Sequence, residues 1–146
     1  MTALFLVDNS VIQRLAQPAV RTAWDRLVAL GDIATCLPTA LEAGYSARNR
    51  ADHARIMEFE TVAKVFLAPV PAVAEIAFRL QIALFAAGQG RAVGVSDLQI
   101  AATAIHYATA LDRPVAVLHY DADFEQLARV ASELDARWIV PRGTLP

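Results

Sequence analysis

ALFLVDNS, residues 3–10, joins a continuous apolar run to an acid, an amide and a hydroxyl, and that junction decides the fold. Five successive apolar side chains leave no polar face, as expected of a strand buried on both sides in a parallel sheet. Asn9 and Ser10 are helix-capping types, so the chain is expected to pass directly from strand to helix. The same junction returns near the other end, where PVAVLHY (114–120) is followed by Asp121 and Asp123.

Between these junctions the pattern alternates. Val20, Ala23, Trp24, Leu27 and Leu30 recur at helical spacing over 19–30, and Gly31 supplies a stop. A second strand is expected around 33–37, with Thr39 capping the helix that carries Glu42. Residues 49–52 break the pattern, a helix resumes over 53–64, and 66–70 form a brief strand between prolines. Pro71 opens a long amphipathic helix that ends in GQGRAVG (88–94), the best candidate for a mobile loop. Ser96-Asp97 start a helix so rich in alanine and other apolar residues that it belongs near the centre of the fold. A strand at 114–120, a helix at 124–134 and a strand at 137–140 complete one α/β domain, a parallel sheet between helical layers.

Composition sets the limits. The 146 residues suit a single domain, expected to span 1–146. The apolar fraction of 56% exceeds the roughly 45–50% of ordinary soluble domains. No uncharged run approaches the ~18 residues that span a bilayer, so the surplus points to partner or subunit surface. The start lacks a basic segment and its apolar run ends at Asp8, which reads as a strand and places the protein in the cytoplasm. The single cysteine, Cys36, excludes an intramolecular disulfide and a multi-cysteine zinc site. A net charge of −2 argues against a protein that coats nucleic acid in bulk, yet all the basic residues except Lys64 are arginine, which suits bidentate phosphate contacts.

Five acids then stand out. Asp8 and the pair Asp121 and Asp123 follow strands, so they lie on the carboxyl edge of the sheet, where open parallel sheets form their sites. Asp97, at the amino end of the helix before the fourth strand, reaches the same edge, and Glu42, one turn inside its helix, can point back to it. No cation stands close to them in sequence. Clustered carboxylates oppose folding unless something positive enters, and oxygen-only ligands favour a hard ion such as magnesium or manganese. Such an ion promotes hydrolysis of phosphodiesters, alone or as one of two.

FLVDNS, TALEAGYSAR, VSDLQIAATA and LHYDADFEQLA closely resemble the four acidic motifs of PIN-domain ribonucleases, specifically the VapC toxins of VapBC toxin–antitoxin systems. The resemblance covers nearly the whole chain. It implies a three-layer PIN-like α/β/α domain with four to five parallel strands and a magnesium- or manganese-dependent endoribonuclease holding one or two ions. Asp8 and Asp97 would be the core ligands, Glu42 would bind metal or water, and Asp121 and Asp123 are both candidates in the fourth motif. Ser10 would orient Asp8 or touch substrate. The resemblance further implies a homodimer, a cognate VapB antitoxin that occludes the site, and a structured RNA substrate such as a tRNA or rRNA loop.

Arg48 and Arg50, with Arg55 beyond them, and Arg91 can hold RNA phosphates. His53, His106 and His119 share no metal-ligand spacing, and Trp24 and Trp138 fit core or dimer contacts. Two enzyme classes are disfavoured. A haloacid-dehalogenase phosphatase needs D-x-D where this chain has Asp8-Asn9-Ser10, and a receiver domain wants a late lysine. The remaining alternative is a catalytically silent PIN-like module that binds RNA or protein, which would have no use for so many mutually repelling carboxylates.

Overall fold

The computed structural model describes residues 2–146. The strands are β1 (Ala3–Val7), β2 (Gly31–Cys36), β3 (Val65–Leu67), β4 (Val115–His119) and β5 (Asp135–Trp138). The helices are α1 (Asn9–Ile12), α2 (Pro18–Leu30), α3 (Leu37–Tyr45), α4 (Arg50–Glu58), α5 (Pro71–Ala86), α6 (Val95–Ala110) and α7 (Asp123–Val130), with a π-helical turn at Phe59–Ala63. All strand pairs are parallel and the spatial order is β3-β2-β1-β4-β5. The chain leaves β1 toward β2 on one side and returns to β4 on the other. The crevice outside the carboxyl ends of β1 and β4 is therefore the switch point at which such sheets bind ligands.

Side-chain alternation divides the core into two layers. Leu4 and Leu6 of β1 and Val115 and Val117 of β4 pack with Leu80, Leu84, Ile100, Ala101, Phe124 and Leu127 from α5, α6 and α7. Phe5, Val7, Ala116 and Leu118 face the opposite way and pack with Val11, Val20, Trp24 and Leu27 from α1 and α2. Both faces of β1 are thus dry, which is why its sequence shows no polar alternation. Truncating Leu6 to alanine would cost about 2–5 kcal/mol. As its composition requires, α6 is central, with every residue from Ile100 to Ile105 buried.

Several boundaries differ from the sequence expectation, each for a local reason. Gly31 both ends α2 and opens β2 two residues early, because it pairs with Ala3, whose carbonyl oxygen would lie 2.1 Å from a Cβ at this position. Thr39 does not cap α3. That helix starts at Leu37 with Cys36 as its N-cap, and Thr39 is buried inside it, its hydroxyl 3.6 Å from Cys36 Sγ. Residues 49–52 start a helix instead of breaking one, since the Asn49 side chain accepts from the Asp52 N–H at 2.9 Å. The helix expected over 53–64 changes to the π-helical turn at Phe59. The third strand is shorter and earlier than expected, and α7 stops at Val130, so that β5 can start at Asp135, opposite Ala116. Gly88, with φ of 73°, takes the left-handed turn that follows α5. The connection 88–94 is tied into the fold at its end, where Val93 is buried. Among the described residues no helix is long and apolar enough to cross a membrane.

Candidate active site

The edge of the switch point gathers three of the five acids. Asp8 leaves β1 with its N–H on the Leu118 carbonyl at 2.9 Å, so the ends of β1 and β4 are stitched together. Its carboxylate accepts from the Ser10 N–H at 3.0 Å, which makes Asp8, and neither Asn9 nor Ser10, the cap of α1. Ser10 is occupied elsewhere: its Oγ accepts from the Tyr120 N–H at 2.9 Å and so joins the first motif to the fourth. Asp97 lies in the first turn of α6, after Gly94 as N-cap, and Asp121 follows β4. One carboxylate oxygen from each of Asp8, Asp97 and Asp121 lies within 4.8 Å of the others.

The other two acids stand beside this trio with different partners. Glu42 lines the same cleft of about 360 Å³ as Asp8, Asp97 and Asp121, and its Oε2 accepts from Asn9 Nδ2 at 3.0 Å. The same amide donates to the Thr39 carbonyl at 3.2 Å, so Asn9 clamps α3 to the β1 edge. Asp123 opens α7. Its N–H donates to Asp121 Oδ1 at 3.0 Å, its Oδ2 accepts from the Gly94 N–H at 3.2 Å, and its carboxylate abuts that of Asp97. Asp123 therefore braces the turn that delivers Asp97.

Electrostatics follow from crowding. Burial pushes the Asp8 carboxyl up, against the hydrogen bonds from Ser10, and Asp121 and Glu42 add repulsion. Burial also drives Asp97 up to about 8, assisted by its hydrogen bond with Asp123 and by the charges of Asp8, Asp121 and Asp123. His119 offers no compensating charge, because burial lowers it to about 4. Its neutral Nδ1 instead accepts from the Asp121 N–H at 3.2 Å. Among the described residues, no ion pair engages any of the five acids. An all-oxygen donor set under mutual repulsion fits a hard divalent cation.

The arginines are arranged otherwise. Arg48 bonds Asp52 at 3.3 Å, and Arg55 pairs with the same carboxylate. The Arg48 N–H and these guanidinium groups hold Asp52 down at about 2. Arg50, in the first turn of α4, and Arg91, in the connection before α6, are exposed and outside the cleft lining. Sequence reasoning overlooked three neighbours of Asp8. Asn9 orients Glu42, Gln13 lines the cleft, and Arg14 donates to the Ser10 carbonyl at 2.7 Å beneath the Tyr120 ring. Their signal was position alone, on the first turns after the strand.

Known proteins resemble the chain in sequence and in fold. Residues 5–130 match the family model described as PIN domain. The chain is 36% identical over 144 residues to Ribonuclease VapC21 of Mycobacterium tuberculosis, covering 99% of both sequences. It is similar in structure to VapBC-5, a member of the VapBC family of toxin–antitoxin systems from Mycobacterium tuberculosis, with TM-score 0.61, 26% identity, and 97% and 100% of the two chains covered. It also resembles VapBC-1 from nontypeable Haemophilus influenzae, with TM-score 0.69, 18% identity, and 93% and 98% covered.

Proposed function

Because the chain belongs to the PIN-domain family, we infer that it is an endoribonuclease acting as the toxin of a VapBC-type toxin–antitoxin pair. The observation that carries the site is the meeting of Asp8, Asp97 and Asp121, delivered by three separate junctions to within 4.8 Å of one another without a neutralising cation. These three would hold magnesium or manganese. When bound, such an ion supplies charge neutralisation for the phosphodiester and activation of the attacking water.

The chain's own residues divide the remaining work. Glu42, held by Asn9, faces the cleft as the group that orients or deprotonates water. Asp123 acts through Asp97 and the Gly94 turn as a positioning residue, and Ser10 fixes Asp8 against β4. Arg50 and Arg91 are free to meet RNA phosphates around the cleft, while Arg48 is tied to Asp52. A structured RNA with an accessible loop, such as tRNA or rRNA, is the substrate class.

A VapB-type antitoxin would silence the enzyme by covering the cleft, and the protein would form a homodimer in the cytoplasm. Phe78, Ile82 and Phe85, more than half exposed along α5, support protein contacts of this kind. Purified protein with magnesium or manganese is expected to cut cellular RNA and to stop on chelation. Asp8→Asn or Asp97→Asn should abolish cutting while far-UV circular dichroism stays unchanged. Undiminished cleavage by both variants would remove the proposed site.

A further inference from the structure

A second cavity, of about 280 Å³, adjoins the acid cleft and shares Asn9, Gln13 and Glu42 with it. Its lining adds Ile12, Ile56 and Phe59, the polar Ser46 and Arg55, and Glu60. Glu60 is only 3% exposed. Its Oε1 accepts from Lys64 Nζ at 2.6 Å, whereas Oε2 is buried with no hydrogen-bond partner. A buried acceptor left unpaired in this way is a cost to the fold. Glu60 lies on the π-helical turn at Phe59–Ala63, a local departure from α geometry that is frequent at functional sites.

Resting on the endoribonuclease reading above, we propose that this cavity is a nucleobase subsite for the residue beside the scissile phosphodiester. In it Glu60 Oε2 accepts from the exocyclic amino group of the base. Three features select this occupant. The cavity shares Asn9, Gln13 and Glu42 with the cleft that would receive the phosphodiester, so a base extruded from a single-stranded loop lies next to it. It sets apolar side chains beside several polar groups, among which Glu60 is the deeply buried one, an arrangement suited to a base. Phe59, more than half exposed, supplies a stacking ring, and the Lys64 ammonium lies 5.0 Å from its centroid, so one buried cation holds both ring and carboxylate in place. Adenine, cytosine and guanine each offer an amino donor. Uracil has no amino group: its one donor on that edge, N3–H, is flanked by two carbonyl oxygens that repel the carboxylate.

The test is binding of tetraribonucleotides that differ at one position, followed by fluorescence anisotropy with Asp97→Asn protein, which is not expected to cut them. Uridine at that position should bind about tenfold more weakly than the amino-bearing bases. Glu60→Met alone would strand the Lys64 ammonium, so it is paired with Lys64→Met; the double change removes the acceptor and should reduce the discrimination below about twofold. Phe59→Ala, at an exposed position, should weaken all four bases alike, by about tenfold. Equal affinity for all bases, discrimination that survives the double change, or no tetranucleotide binding would overturn the subsite. So would a double change that alters only the binding of an antitoxin peptide, which would assign the cavity to a protein partner. If the discrimination appears as expected but the unmodified protein fails to cut RNA with magnesium or manganese, the nuclease reading falls and the base subsite stands.

Discussion

Asp8 and Glu60 are buried to nearly the same degree, 5% and 3% exposed, yet the chain treats their charges in opposite ways. Glu60 has its cation built in, one helical turn away, in the only lysine of the sequence. Asp8 is instead surrounded by Asp97, Asp121 and Glu42, and His119, bonded to the Asp121 N–H, is held neutral. A charge neutralised from within serves the packed structure, whereas a charge left for an external cation prepares a site at the expense of the unliganded fold.

The largest effect expected from this contrast is on the acid side. Asp8→Asn or Asp97→Asn should lower cleavage by about a thousandfold or more, read from initial rates on a fixed RNA. At the same time Asp97→Asn should raise the melting temperature of the metal-free protein at pH 8, because it removes a repelling carboxylate. A melting temperature that falls instead would break the contrast. On the paired side the sign reverses. Lys64→Met should destabilise by about 3–5 kcal/mol in urea unfolding, while Lys64→Met with Glu60→Met should recover most of that loss.

Smaller effects separate the two acids of the fourth motif. Asp121→Asn removes a member of the trio, and Asp123→Asn only loosens the Gly94 turn and the contact to Asp97. The first should therefore reduce cleavage about tenfold more than the second, as titrations of rate against manganese concentration would resolve. The pH dependence is subtler. Asp97 stands at about 8 in the folded chain against an ordinary 3.8, so folding favours its protonated form. The contribution of Asp97 to metal-free stability is then fullest below about pH 4, declines as pH rises through this window and levels off above about pH 8. Thermal melts in chelator across that range, compared with melts of Asp97→Asn, would show whether the slope belongs to this carboxyl.

The acid side was readable in the sequence and the paired side was not. ALFLV and VAVLH are apolar without alternation because both faces of β1 and β4 are dry, and acids directly after such strands can only lie on the carboxyl edge. Glu60 and Lys64, by contrast, look like any solvated i, i+4 pair. Their burial depends on the π-helical turn and on the packing around it, which no local pattern announces. Asn49 was hidden for a related reason: its polar neighbourhood suggests a break until the Asp52 N–H is seen to need an acceptor. Arg48 appeared available to RNA because the competing carboxylate of Asp52 belongs to the following helix.

Whether Asp8, Asp97 and Asp121 form a divalent-cation site is decided by calorimetric titration of manganese at pH 7 in two buffers of different ionisation enthalpy. With Asp97 at about 8, an ion entering the trio must displace its proton. The expected result is binding with release of about one proton per ion, and loss of both binding and proton release in Asp97→Asn. Manganese binding that releases no proton and persists unchanged in that variant would contradict the account.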